Sequence, residues 1–268
     1  MRSGRGNGVR KRRRSLVLSS GPYRLPAELW EPVGGPAGGP EVVFVLCHGS
    51  TQKGMRHELI RYLASSLSSR WPVLAFDLPG LGRAPRLIVR GLDDYLYHEH
   101  PVAAAELAME LTGLPSVLVG HSMGGRVVLQ AASRGQEEGL VVGVATLAGL
   151  YELPADPAEM EVLLADFASY VRVGFELPMD HLAREVAEAR PTHRAVERLR
   201  IPLLAVEAGR ETYGFIRESR YEIFRMARCP KTLILLGGAD HKFKGHHRLL
   251  PDLIARWAEL RLRGREGN

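Results

Sequence analysis

The chain has 268 residues, 45% hydrophobic and 25% charged, enough for a full-sized core and unlike a disordered or collagen-like composition. No apolar run approaches the ~20 residues that cross a bilayer as a helix, which argues against a membrane span. The formal charge of +6 is concentrated at one end: Arg2, Arg5, Arg10, Lys11, Arg12, Arg13 and Arg14 occur without an acid in residues 1–14, and the remainder is close to neutral.

This leader, 1–14, reads as a solvated, disordered arm. A basic arm suits nucleic acid or an anionic surface, but one without interleaved aromatics fits plain solvation better. Its neighbouring apolar run, "LVL", is far shorter than the ~7–15 residues of a signal-peptide core, so a cytoplasmic protein is expected. Cys47 and Cys229 belong to no C-x-x-C or zinc spacing, and neither a disulfide framework nor a structural metal is implied.

Residues 15–268 read as one α/β unit. "SLVLSS" and "YRLPAELWEP" predict a leading hairpin, and "VGGPAGGP" is a Gly/Pro turn into the interior. Six Val/Leu/Ile-rich runs follow: "EVVFVLCHG", "WPVLAFDLPG", "PSVLVG", "VVGVATLAG", "IPLLAVE" and "KTLILLGG". Continuous apolar runs ending in turn residues are the pattern of strands buried on both faces of a parallel sheet. Amphipathic patterns separate them, such as Leu59, Ile60, Leu63 and Leu67, or Leu249, Leu250, Leu253, Ile254 and Trp257. Strands alternating with such helices predict a mostly parallel central sheet with helices on both faces. The alternation fails once, over 150–199, where two or three helices without a strand predict a small helical cap.

Within "VLVGHSMGGRVVL", an apolar strand pattern gives way to a helical one at a single hydroxyl. A serine on a sharp strand-to-helix turn adopts a strained backbone, and the positions two before and two after it are pressed against neighbouring chain. Gly120 and Gly124 meet that demand around Ser122.

With these residues the chain resembles the α/β-hydrolase family, specifically its serine esterases with a small helical cap, over roughly residues 40–260. "HGS" at His48–Ser50 is similar to the family's oxyanion loop, "DLPGLGRA" at Asp77–Ala84 to the loop after its fourth strand, and "GGADHKFKG" at Gly237–Gly245 to its histidine loop. The resemblance implies Ser122 as nucleophile and His241 as base. It implies oxyanion donors on the backbone N–H of Met123 and of Ser50, with Thr51 or Gln52 as alternatives. The family's acid falls on Glu211 in "EAGRETYGF", a glutamate where aspartate is usual. Glu211 lies 89 residues after Ser122 and 30 before His241, room for the intervening elements.

Other candidates compete. His121 is expected to pack or hydrogen-bond under the turn, and His48 to brace the oxyanion loop. His246 and His247 beside Asp240 match no common metal spacing. Glu207 and Asp240 are rival acids, with Glu152 and Asp156 behind them. Phe167, Tyr170, Phe175 and Met179 are available to line a pocket in the cap.

The expected activity is cleavage of a small-molecule carboxylic ester through an acyl-enzyme, needing neither cofactor nor metal. The same triad admits thioesterase, peptidase, acyltransferase, haloperoxidase-like and carbon–carbon bond hydrolase chemistry, and a non-catalytic interaction protein can keep the fold. The sequence leaves the oligomeric state open.

Overall fold

Strand β3 (Val43–Cys47) shows how the sequence builds a two-sided sheet. All five of its residues are buried, with Val43, Val45 and Cys47 in one apolar cluster and Phe44 and Leu46 in the other. Side chains alternate along a strand, so an uninterrupted apolar run serves a core on each face. The computed structural model describes residues 11–33 and 41–262; the "GGPAGGP" turn lies outside them.

The remaining strands are β1 (Lys11–Ser20), β2 (Tyr23–Pro32), β4 (Val73–Phe76), β5 (Leu87–Val89), β6 (Ser116–His121), β7 (Val141–Leu147), β8 (Val173–Phe175), β9 (Leu203–Arg210) and β10 (Lys231–Asp240). Eight of them form one sheet in the order β1-β2-β4-β3-β6-β7-β9-β10. The β1–β2 and β2–β4 pairs are antiparallel, and all pairs from β4 to β10 are parallel.

On one face, α1 (Glu58–Leu67) and α9 (Leu249–Leu262) bury Leu59, Leu63, Ile254 and Trp257. The other face carries α3 (Glu99–Thr112), α4 (Met123–Gly135) and α7 (Pro191–Arg198), through residues such as Ala104, Val127 and Val196. From β3 the chain moves outward to β4 and then crosses to β6 on the other side of β3. Such a reversal opens a crevice beyond the carboxyl ends of the strands.

Two expectations are corrected. Lys11–Arg14, assigned to a disordered arm, form the start of β1. Arg12 and Arg14 pair with Glu31 across the hairpin, and the Arg13 guanidinium lies 5.3 Å from the Trp30 ring centroid. Cross-strand acids and an aromatic turn a charge run into an edge-strand face. Residues 1–10 lie outside the described ones.

The segment 150–199 contains α5 (Pro157–Tyr170), α6 (Met179–Ala189) and α7, but also β8, which pairs in parallel with β5. A three-residue strand is too short for alternation to be read. Arg172, just before β8, ties this segment to the loop after β4 by donating to the carbonyls of Gly82 and Ala84 at 3.0 and 2.8 Å.

Candidate active site

Strand β6 ends at His121 and α4 begins at Met123, leaving Ser122 alone on the turn with φ 54° and ψ −125°. That backbone region costs a non-glycine residue about 1–3 kcal/mol and persists only where the surroundings enforce it. They do so here: a Cβ at Gly120 would collide with the Gly124 backbone, and one at Gly124 would stand 2.5 Å from the carbonyl oxygens of Cys47 and His48. The two glycines let the turn close against β3, and the strained serine projects its hydroxyl outward.

Glu211 and His241 immediately follow β9 and β10 at the same edge of the sheet. Ser122 Oγ lies 2.8 Å from His241 Nε2, and His241 Nδ1 lies 2.7 Å from Glu211 Oε2. The structure thus brings together the serine, histidine and glutamate expected from the sequence. Carboxylate oxygens only accept, so Nδ1 carries the proton and Nε2 is free to accept from the serine. Glu211 Oε1 accepts the Tyr213 N–H at 3.0 Å. Burial pushes the Glu211 carboxyl up, but hydrogen bonds from His241 and from the Tyr213 and Thr212 N–H groups outweigh it and leave its pKa below the usual range. The carboxylate is therefore ionised where it meets the imidazole.

Neighbouring histidines hold the frame. His121 Nε2–H donates to the His241 carbonyl at 2.9 Å, and burial followed by the proximity of His241 lowers its pKa to about 3. It stays neutral and anchors the backbone of the histidine loop. Buried His48 donates from Nδ1 to the Gly49 carbonyl at 2.7 Å and accepts the Leu78 N–H at Nε2, 3.0 Å. It joins the loops after β3 and β4. The Ser50 hydroxyl donates to Met123 Sδ at 3.2 Å, so the "HGS" loop and the start of α4 face each other beside Ser122. As the first residue of α4, Met123 has an N–H outside the helical ladder. Gln52 donates its side-chain amide to the Tyr170 carbonyl and Thr51 Oγ1 accepts the Lys53 N–H.

Three of the four rival carboxylates are engaged elsewhere. Asp240 accepts the Lys242 and Lys244 N–H groups and shapes its turn. Glu152 receives His193 Nδ1 at 2.6 Å and the His193 N–H at 2.8 Å, anchoring α7. Asp156 caps α5 through the Ala158 and Glu159 N–H groups. Glu207 is buried within β9. His246 and His247 turn to the carbonyls of Lys244 and Lys242.

The serine and histidine open into a cavity of about 550 Å³, within the range of small-molecule sites. Phe167 and Tyr170 line it as expected. Phe175 and Met179 do not: the first is consumed by pairing with Val89, and both pack against the main core. The sequence reading missed Tyr95, Tyr151, Tyr213, Phe215 and Arg126, which also line the cavity. The Tyr213 ring stands edge-on to His241 at 4.7 Å between centroids. For Arg126 a signal existed: a lone cation in an apolar helical run, four residues after the serine.

Comparison with known proteins agrees with this architecture. A sequence model described as the alpha/beta hydrolase family matches residues 44–267. A 2-succinyl-6-hydroxy-2,4-cyclohexadiene-1-carboxylate synthase from Serratia proteamaculans is 34% identical over 102 residues, 38% of this chain and 37% of that one. That match therefore spans little more than a third of the relative. A pimeloyl-[acyl-carrier protein] methyl ester esterase from Neisseria meningitidis is 24% identical, covering 78% of this chain and 91% of its own. Among solved structures, dienelactone hydrolase from Anabaena variabilis superposes with a TM-score of 0.62 at 16% identity, covering 94% of this chain and 98% of that one. At that identity the likeness is one of fold. Among the described residues no helix is long and apolar enough to cross a membrane.

Proposed function

The chain belongs to the alpha/beta hydrolase family, and from that premise we propose that it cleaves small-molecule carboxylic esters through an acyl-enzyme formed on Ser122. The observation that carries this reading is the chain of contacts from Ser122 Oγ through the His241 ring to Glu211, at the wall of a cavity. The methyl ester esterase relative, aligned over most of both chains, supports the ester as substrate class.

The steps follow from the proton positions. His241 Nε2 takes the Ser122 proton as Oγ attacks the ester carbonyl, and Glu211 stabilises the imidazolium through Nδ1–H. The tetrahedral oxyanion is held by the backbone N–H of Met123 and by that of Ser50 on the facing loop. His241 then protonates the departing alcohol. Water, deprotonated by the same imidazole, attacks the acyl-enzyme and releases the acid. Each group that moves a proton belongs to the chain, so a chelator should leave the rate unchanged.

The test is a fluorophosphonate probe followed by peptide mapping. The label should sit on Ser122, and Ser122→Ala should lose both labelling and ester turnover with an unchanged fold. An unlabelled native protein, or turnover surviving in the variant, would overturn the proposal.

A further inference from the structure

Arg126 lies one turn along α4 from Ser122, its N–H reaching the Ser122 carbonyl at 3.4 Å. It is 2% exposed, yet lines the cavity that holds Ser122 and His241. Its Nε and Nη1 are buried without a hydrogen-bond partner, and among the described residues no carboxylate pairs with it. Its surroundings are aromatic: the guanidinium carbon is 5.7 Å from the Tyr95 ring centroid. Burial raises the Tyr151 phenol pKa, and Arg126 draws it part of the way back, which places that hydroxyl beside the cation.

A guanidinium cannot shed its proton to escape burial, and a buried unpaired charge is destabilising. The missing partner is an anion that enters through the cavity. One guanidinium balances one negative charge, and its planar fork matches a carboxylate. A doubly charged phosphate would need a second cation, and the other lysine or arginine lining the cavity is Lys242, beside His241. The cavity also holds Asp166, on the exposed side of α5, whereas Arg126 is buried. An alcohol must leave while the acyl group is still bound to Ser122, so the buried end around Arg126 belongs to the acyl portion.

We infer that the substrate is a half-ester of a dicarboxylic acid, whose free carboxylate is held by Arg126 while its esterified carboxyl meets Ser122. This deepens the ester-hydrolase reading and rests on it. Arg126 binds and orients the substrate, and the chemistry remains with Ser122 and His241.

The experiment compares monomethyl adipate with dimethyl adipate, equal in length and different in charge, by methanol release. The native enzyme should favour the half-ester by about tenfold or more in kcat/KM, the discrimination expected of a charged hydrogen-bonded pair, expressed mainly in KM. In Arg126→Met that ratio should collapse to near one, and Arg126→Lys should give an intermediate ratio because it keeps the charge without the fork. A general disturbance of α4 would slow both esters and leave the ratio standing. A native enzyme that prefers the diester overturns the inference whatever the variants do.

Calorimetry separates this inference from the proposal beneath it. Adipate should bind the Ser122→Ala protein and fail to bind Ser122→Ala/Arg126→Met. Arg126-dependent adipate binding with no probe labelling would sink the esterase reading and keep the carboxylate site. Labelling and turnover without charge discrimination or Arg126-dependent binding would sink the carboxylate site and keep the esterase. Binding of inorganic phosphate in place of adipate would also overturn the carboxylate assignment.

Discussion

The carboxyl edge of the sheet and the segment between β7 and β9 both face the cavity, yet they are built by different physics. At the sheet edge, Ser122, Glu211 and His241 each follow a parallel strand at once, so the backbone delivers them to one line. In the inserted segment, α5 presents Phe167 and Tyr170 to the cavity through helix rotation and packing. Position along a strand is a local property, whereas the direction of a helix face depends on everything that the helix touches. Changes at the edge should therefore alter the chemistry itself, and changes in the insertion should alter which substrate reaches it.

The largest effect is expected at Glu211. Glu211→Gln removes the charge opposite the imidazolium but preserves size, and kcat should fall by about 10⁴, as when the corresponding carboxylate of a serine protease is lost. Glu211→Asp withdraws the carboxyl by about 1.5 Å, one carbon–carbon bond, and should keep part of the rate. Asp240→Asn is the control, since its oxygen serves the Lys242 and Lys244 N–H groups. A kcat that survives Glu211→Gln and collapses in Asp240→Asn would reassign the acid and break the contrast drawn at the sheet edge.

A smaller, selective effect is expected from the insertion. Phe167→Leu removes a ring that lines the cavity, and should raise KM for short acyl esters several-fold with kcat little changed. Phe175→Leu alters a side chain outside the cavity and should leave both constants within about twofold, at the cost of some stability from lost packing. Steady-state kinetics over an acyl-length series checks the pair. Equal responses would show that the insertion acts as one packed body and not through individual lining residues.

The same division explains what could be read before the structure. Gly120, Ser122 and Gly124 were legible because the turn imposes its own residue types, and the strands because burial on both faces demands uninterrupted apolar runs. His241 was expected from its place just after the last strand, and Glu211 from the resemblance to the family. The fate of Phe175 and Met179 was not legible, because a residue's type says that it wants to be buried and not which of two apolar spaces takes it. Lys11–Arg14 were misread for a related reason: the partners that order them, Glu28, Trp30 and Glu31, lie across a hairpin turn. Arg126 was visible as an oddity, but only the cavity shows what it faces.

The last prediction has the smallest expected effect on rate and sharpens the sheet-edge side of the comparison. Glu207 and Glu211 are both buried at the end of the chain segment that β9 carries, yet their carboxyls move in opposite directions. Burial raises Glu207 to about 8, only partly offset by Arg220 and by the backbone of Leu150 and Gly149, and its oxygens lack a hydrogen-bond partner of ordinary geometry. Glu211 is held down by its hydrogen bonds. With an ordinary carboxyl pKa of 4.5 in the unfolded chain, Glu207 keeps its proton in the fold over a range where the unfolded state has lost it. Its contribution is thus fully present below pH 4.5 and is lost as pH rises towards 8. Glu207→Gln retains the shape and cannot ionise, so it should remove this loss: the difference in melting temperature between variant and native protein should grow in the variant's favour from pH 5 to pH 8. Ester turnover should persist, because Glu207 is a hydrogen-bond partner of neither Ser122 nor His241. A difference that is flat across this range would mean that Glu207 finds compensation for its charge in the fold, and a loss of turnover would move to Glu207 the role proposed for Glu211.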